Sequence, residues 1–421
     1  MIRNAGRTAA GTAASLLIGA AMLLHPAAAS AQNTVKIGVI YPLSGNAAGA
    51  GNAAKAGVEI AAEIVNGAHP ELGHLPLAAT QGLPRLKGAK VEPIFSDHQG
   101  NPSVGQSQTV RLITEEKVVA MFGVYHSSVA MSATAEAERE GIPFVIGDSV
   151  AKDITGRGFA NVFRTTPIAP DLAHTYMLFL KDLAKMRPVK TIAVVNENTD
   201  YVTSVANNIA DAAKDSPFEV VARIPYSAGG TDVSPQVLQL KEKNPDVVIF
   251  ASYTNDAILY MKTLRNLDYR PPIFLADDAG FSDPAFVKSV GELSQGIFNR
   301  SAYKVGKPGS VSYKINQMYR AKTGADIDDA TGRSIMGFIV LCDAINRAGS
   351  TEPEAIRKAL RETNFTQDQV MLGYRGVKFD ATGQNTEGSN YIIQLIGDQY
   401  VAVWPFNQAD AKLDHYFIGW K

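Results

Sequence analysis

The chain is poor in the residues that staple a fold or ligate a metal. It has one cysteine, Cys342, among 421 residues. A single thiol excludes an intramolecular disulfide, a thiolate zinc cage and an iron–sulfur cluster. Cys342 sits in the apolar helical run Ile335 to Ile345, where a buried, inert thiol is expected. Neither sign of charge is in excess: 40 basic residues stand against 41 acidic ones, a net charge of −1. That excludes the clustered positive surface a polyphosphate partner needs, so no nucleic-acid partner is expected. The seven histidines are scattered. His69 and His74 could hold a metal loosely, but a solvated loop is the plainer reading. No nucleophile elbow, Walker loop or H-E-x-x-H helix occurs, so no catalytic residues, cofactor or metal are expected. Gly49-x-Gly51-x-x-Ala54 matches part of a dinucleotide fingerprint. It starts too late after its strand, and a small-residue helix start explains it as well.

The composition is that of a globular protein, with 46% hydrophobic and 19% charged residues. At about 150 residues per domain, the length predicts two or three domains. The first segment reads as an export signal. Arg3 and Arg7 precede an uncharged stretch from Thr8 to Leu24, then Pro26 and the small residues Ala29-Ser30-Ala31. That pattern predicts cleavage near Ala31-Gln32. The alternative, a membrane anchor, is disfavoured because a span needs about 20 apolar residues. The remainder should be exported and free of membrane spans.

From Val35 the chain alternates strand and helix. The β-rich runs Val35 to Ile40, Val91 to Phe95, Val118 to Phe122 and Ile142 to Ile146 are separated by helical patterns. Thr191 to Val195, Glu219 to Ile224, Asp246 to Phe250 and Ile273 to Ala276 form a second series. Short, fully apolar strands belong to parallel sheets covered on both faces. The expectation is an α/β fold with two Rossmann-like, doubly wound lobes around a central cleft. The Pro- and Gly-rich stretch from Ala68 to Gly88 reads as a surface excursion. Val377 to Phe379, Tyr391 to Ile396 and Tyr400 to Val403 are expected to form an antiparallel meander.

Ligands of open α/β sheets bind outside the carboxyl ends of the strands, so the strand-end loops supply the candidate site. Tyr125-His126-Ser127-Ser128 ends one strand and starts a helix. Serines with free amides there suit an anion, although one serine could be only an N-cap. Asp148-Ser149-Val150 ends the next strand and could orient polar groups or cap a turn. In the second series, Asn196 to Tyr201, Ser252 to Asp256 and Asp277-Asp278 occupy strand ends. Tyr201 and Tyr253 can cover an apolar ligand body or simply pack. A carboxylate at these strand ends can pair with an ammonium group in a closed cleft, and for Asp277 and Asp278 the alternative is to cap the helix opened by Ser282-Asp283-Pro284.

These stretches, in this order, resemble the solute-binding proteins of branched-chain (hydrophobic) amino acid ABC transporters, with the type I periplasmic-binding-protein fold. The resemblance runs through Ile37 to Gly45, Gly123 to Ser128, Ile142-Pro143-Phe144, Phe163-Arg164-Thr165, Asp200-Tyr201 and Pro245 to Val248. It implies lobes that are discontinuous in sequence, 32–165 with 303–374 and 166–302 with 375–421, after a signal at 1–31. Three crossings are expected near Arg164 to Pro167, Arg300 to Lys304 and Gly373 to Phe379. It also implies a small-molecule ligand, permease subunits in the membrane as partners, a monomer, and a periplasmic location. Ser127 and Ser128 look like the serines that hold a ligand carboxylate. Ser149 and Val150 look like the frame around it, Tyr201 and Tyr253 like the second-lobe aromatics, and Asp277 like the acid that takes the ammonium. Asp148 and the short Asp277 depart from the family pattern, which leaves room for an aromatic carboxylate or an amide in place of an amino acid. A sensory protein that hands its loaded state to a receptor would use the same closure.

Overall fold

The computed structural model describes residues 34–277, 279–413, 417 and 419–420. The export signal read at 1–31 and the candidate Asp278 lie outside these residues. Five parallel strands make the first sheet: β1 (Thr34–Tyr41), β2 (Lys90–Asp97), β3 (Ala120–Gly123), β4 (Phe144–Ile146) and β5 (Val162–Arg164), ordered β2-β1-β3-β4-β5. The apolar centres of these strands are buried from both sides, which is why they read as continuous Val, Ile and Phe runs.

The second sheet starts with β6 (Thr191–Glu197), β7 (Glu219–Tyr226), β8 (Val247–Ala251), β9 (Ile273–Ala276) and β10 (Phe298–Ser301), all parallel. The chain then returns to the first lobe. The helix Asp329–Ala348, buried along most of its length, packs against the helix Ala48–Asn66. Close approach there needs Gly57, whose added Cβ would lie 2.9 Å from Thr331. A separate hairpin follows, β11 (Asn364–Thr366) with β12 (Gly376–Lys378). The chain re-enters the second sheet as β13 (Tyr391–Ile396) and β14 (Gln399–Trp404), giving the order β14-β13-β10-β9-β8-β6-β7. One apolar core joins residues of the first sheet with residues from Ala302 to Phe379. Two further clusters sandwich the second sheet. Among the described residues, no helix is long and apolar enough to cross a membrane.

Three expectations need correction. The Pro-rich stretch is not simply a surface excursion: it forms two short turns of 3-10 helix and buries Leu72, Leu75, Ala78 and Leu83 against the first-lobe core. Its prolines and glycines shape the turns while its leucines anchor them. The expected three-strand meander is a pair, because Val377 belongs to β12, which joins β11 instead. The third crossing comes later than Gly373 to Phe379. Lys378 still pairs with Asn364. Gln384 and Asn385 still bond the backbone of Thr166 and Thr165, and the second sheet resumes only at Tyr391.

Glycine at 51 has a steric reason that owes nothing to a nucleotide. A Cβ there would sit 1.9 Å from the Pro42 carbonyl oxygen, so the helix start can press on the β1 loop only without a side chain.

Strand order reverses between β1 and β3 in the first sheet and between β6 and β8 in the second. Ligand crevices in open α/β sheets form at such reversals, outside the carboxyl ends of the strands.

Candidate functional site

The loops at both reversals meet around one cleft of about 410 Å³. Gly45, Asn46 and Ala47 come from the end of β1, His126 and Ser128 from the end of β3. Glu197, Thr199 and Tyr201 come from the end of β6, and Tyr253, Asn255 and Asp256 from the end of β8. A volume of that size suits a small solute. A second compartment lies deeper, lined by Tyr125, Ser127, Asp148, Ser149, Val150, Tyr201, Tyr253, Arg300 and Arg333. It measures about 20 Å³, room for roughly one water molecule.

Aromatic rings separate the two compartments. The Tyr253 ring, from the second lobe, lies 4.8 Å from His126 and 5.6 Å from Tyr125, both of the first lobe. It also lies 5.6 Å from Tyr201. Tilted ring pairs at these separations are favourable, so the lobes touch through this cluster. His126 also meets His98 edge-on at 5.4 Å. Burial keeps both imidazoles neutral: that of His126 is pushed down to about 4. His98 falls to about 3 through burial and then the neighbouring His126.

On the first-lobe wall, the helix Ser127–Arg139 begins at the cleft with His126 as its N-cap residue. Its first amides, at the positive end of the helix dipole, are oriented to receive an anion. Ser128 lines the cleft, while Ser127 is buried and its Oγ accepts the Ala151 amide at 3.3 Å. Ser149 donates to the Val124 carbonyl at 2.6 Å. Arg164, fully buried at the end of β5, donates to the Ser149 and Ala151 carbonyls and to Gln384 of the third crossing. Burial lowers its guanidinium to about 9. It thereby fixes the loop carrying Ser149 and Val150 against the hinge.

Beneath the deep compartment runs a ladder of alternating charges. Asp148 lies 3.9 Å from Arg333, Arg333 is 3.1 Å from Asp329, Asp329 is 3.5 Å from Arg300, and Arg300 is 2.8 Å from Asp277. All five residues are buried. Asp148 also accepts the hydroxyls of Tyr41 at 2.9 Å and Ser334 at 3.0 Å. Asp277 accepts the hydroxyls of Tyr176 and Tyr201. The ladder starts in the first lobe, ends in the second, and crosses between them at Asp329 and Arg300.

The sequence-expected residues therefore divide. Tyr125, Ser127, Asp148, Ser149, Val150, Tyr201 and Tyr253 surround the deep compartment, and His126, Ser128, Tyr201 and Tyr253 line the larger cleft. Asp277 lines neither and has no exposed surface, so its expected place beside a ligand ammonium is not where the structure puts it. Its charge is met by Arg300, and it acts on the site through the Tyr201 hydroxyl it holds.

Sequence reasoning passed over Arg300 and Arg333 as site residues, and placed Glu197 and Asp256 in strand-end loops without singling them out. Glu197 ends a strand of otherwise apolar character, Thr191 to Val195, and that position was the available signal. It is buried, and its Oε1 accepts the Tyr253 amide at 2.6 Å and the Tyr226 hydroxyl at 3.3 Å. Burial first, and then the like charge of Asp256, pushes the Glu197 carboxyl up to about 8. Asp256 accepts the Gly229 amide at 3.0 Å and is itself raised by burial.

Comparison with known proteins identifies the family and the fold. The family model described as periplasmic binding protein matches residues 34–399. The Leu/Ile/Val-binding protein homolog 8 of Brucella suis biovar 1 is 31% identical over 94% of this chain and 98% of its own length. Among solved structures, the leucine-binding protein LivK of Thermotoga maritima superposes with a TM-score of 0.74 at 23% identity, covering 87% of this chain and 97% of that one. A solute-binding protein of an ABC transporter from R. palustris, in complex with benzoate, superposes with a TM-score of 0.71 at 18% identity, covering 88% and 95%. Both solved chains share the two-lobed type I fold. By its family match, its relatives and its fold, the chain belongs to the periplasmic binding protein family.

Proposed function

We propose that this chain is the extracytoplasmic solute-binding component of an ABC importer, and that it closes its lobes over a small carboxylate-bearing solute, an amino acid or a close analogue. One observation carries the reading. The 410 Å³ cleft lies at the strand-order reversals of both sheets, with the start of the Ser127–Arg139 helix on one wall and Tyr201 and Tyr253 on the other. A solute there contacts both lobes, so it binds the closed state better than the open one, and that difference drives closure. The crossings at 165–168, 302–304 and 379–390 are the hinge. The role is binding rather than catalysis, and the loaded protein delivers its solute to permease subunits. Family membership supports a location outside the cytoplasm; the basic, apolar and small-residue order of residues 1–31 supports export to the periplasm with cleavage near Ala31-Gln32.

The aromatic wall of Tyr125, His126, Tyr201 and Tyr253 favours a second reading within the same class, an aromatic carboxylate. A thermal-shift panel of L-leucine, L-phenylalanine, benzoate and 4-hydroxybenzoate tests both. A ligand at a thousandfold excess over its Kd stabilises by about 4 kcal/mol, so at least one compound is expected to raise the melting temperature by several degrees. Failure of all four, extended to the remaining amino acids and aromatic acids, would remove the proposed solute class.

A further inference from the structure

Arg164 is a fully buried cation whose hydrogen-bond partners are all neutral. They are Gln384 Oε1 at 2.7 Å, the Ser149 and Ala151 carbonyls at 3.1 and 2.7 Å, and the Thr155 hydroxyl at 2.7 Å. Burying a charge is costly, and a bonded carboxylate is the usual compensation. What these partners share is their position. Gln384 belongs to the third crossing, and its amide donates onward at 2.8 Å to the Thr166 carbonyl of the first crossing. Backbone bonds lay the third crossing along the end of β5: the Arg164 amide donates to the Gly383 carbonyl, and the Asn385 amide donates to the Arg164 carbonyl. Glycine is required at 383, where φ is +82° and a Cβ would lie 2.1 Å from the Val162 carbonyl oxygen. On its other side Arg164 holds the loop 149–151. That loop belongs to the first lobe, yet Val150 packs into a core of the second. The Val150 carbonyl accepts the Ala169 amide of the second lobe at 3.0 Å, and the Lys152 amide reaches Ser204 Oγ at 3.3 Å. Ser149 and Val150 also line the deep compartment of the cleft.

We propose that Arg164 is a positioning residue that couples the hinge to the cleft. Through Gln384 it ties the first crossing to the third, and through the Ser149 and Ala151 carbonyls it ties both to the loop that bridges the lobes. The inference rests on the closure reading above and adds the residue that transmits it. The planar fork of donors on one guanidinium reaches the hinge and the loop at once, which the point charge of a lysine does not. Cutting the link on either side frees the loop from the crossings, so the lobes lose an inner tether and stand apart more often.

Distances between the lobes, measured without solute, test the coupling. Ser103→Cys and Thr231→Cys place spin labels on exposed residues at opposite rims of the cleft, close in sequence to Gly100 and Gly229 of its lining. Cys342 is buried and takes no label. Double electron–electron resonance on the full chain then reads the spacing in the labelled protein and in its Arg164→Met and Gln384→Leu forms. Both substitutions are expected to move population from the original spacing to wider ones, lowering the ratio of the two about tenfold, as the loss of hydrogen bonds to a buried charge implies. Arg157→Met is the control. That arginine donates to the Met131 carbonyl and the Thr134 hydroxyl, both in its own lobe, so its loss should lower the urea midpoint and leave the spacing unchanged. Gln384→Leu spares the bonds from Arg164 to Ser149, Ala151 and Thr155, and gives an independent reading if Arg164→Met does not fold. An unchanged spacing in Gln384→Leu, or an equal shift in Arg157→Met, would overturn the coupling. Because no solute is present, a protein that binds no compound of the panel would overturn the solute-binding reading, while the spacings still decide the coupling.

Discussion

Arg300→Met is expected to be the most destabilising single substitution outside the apolar cores, costing about 3–5 kcal/mol. Arg300 is 1% exposed and sits between Asp277 at 2.8 Å and Asp329 at 3.5 Å. Removing its charge leaves the buried carboxylates of Asp277 and Asp329 short of a cation, while Arg333 lies 3.1 Å from Asp329 and 3.9 Å from Asp148. The urea midpoint measures the loss. Arg357→Ala is the control, because its 3.2 Å pair with the exposed Glu354 is worth well under 1 kcal/mol. Removing both ends of the buried pair, Arg300→Met with Asp277→Leu, should recover part of the loss, because no lone charge then remains at that end. An Arg300→Met variant as stable as Arg357→Ala would show that the ladder does not hold the hinge together. The ladder also has a functional consequence. It fills the floor of the cleft with charges that satisfy one another, and so leaves the outer compartment to bind the solute.

The second large effect is on acid stability. His126 has its pKa held down to about 4 and His98 to about 3, against 6.5 for an unburied imidazole. The unfolded chain therefore binds protons at these residues between pH 6.5 and 4 while the folded chain does not. Stability is retained above pH 6.5 and lost as pH falls through that window, on the order of 3 kcal/mol for each histidine. His126 is faced by the rings of Tyr125, Tyr253 and His98, and His98 additionally by Asp97, whose charge offsets a little of the loss. Glu197 acts in the opposite sense. Its carboxyl is raised from 4.5 to about 8, so it costs stability as pH rises between those values. Unfolding of the ligand-free protein should therefore be hardest near the middle of this range. The double variant His98→Gln, His126→Gln should lose much of the slope between pH 6.5 and 4. A slope identical to wild type would mean that the two rings do not remain neutral in the folded protein. Acidification should also loosen the contact between lobes, because His126 packs against the Tyr253 ring at 4.8 Å across the cleft.

Much of this fold was legible because its strands are buried on both faces. Val118 to Phe122 is wholly apolar and Asp246 to Phe250 is apolar after its first residue, and a covered parallel sheet uses such short runs. The aromatic and serine positions of the cleft were legible for a related reason: a polar or aromatic residue immediately after an apolar strand stands at its carboxyl end. The charge ladder was not legible. Arg333 lies within the helix Asp329–Ala348 and Arg300 within a strand, far in sequence from Asp148 and Asp277, and nothing local distinguishes them from solvated charges. Asp277 was read as free because its partner comes from the neighbouring strand. The Pro-rich stretch misled for a different reason. Proline and glycine report backbone turns, not exposure, and the leucines between them carried the information about burial.

The central claim is that one small solute occupies the cleft and contacts both lobes. Native mass spectrometry of the protein as purified from the periplasm of its expression host, with and without prior denaturation and refolding, tests it most directly. The account predicts one excess mass per chain, that of a small carboxylate-bearing solute, lost on denaturation and regained when the compound is returned. A chain that carries no excess mass, and gains none when incubated with the complete amino-acid and aromatic-acid panel, would contradict it.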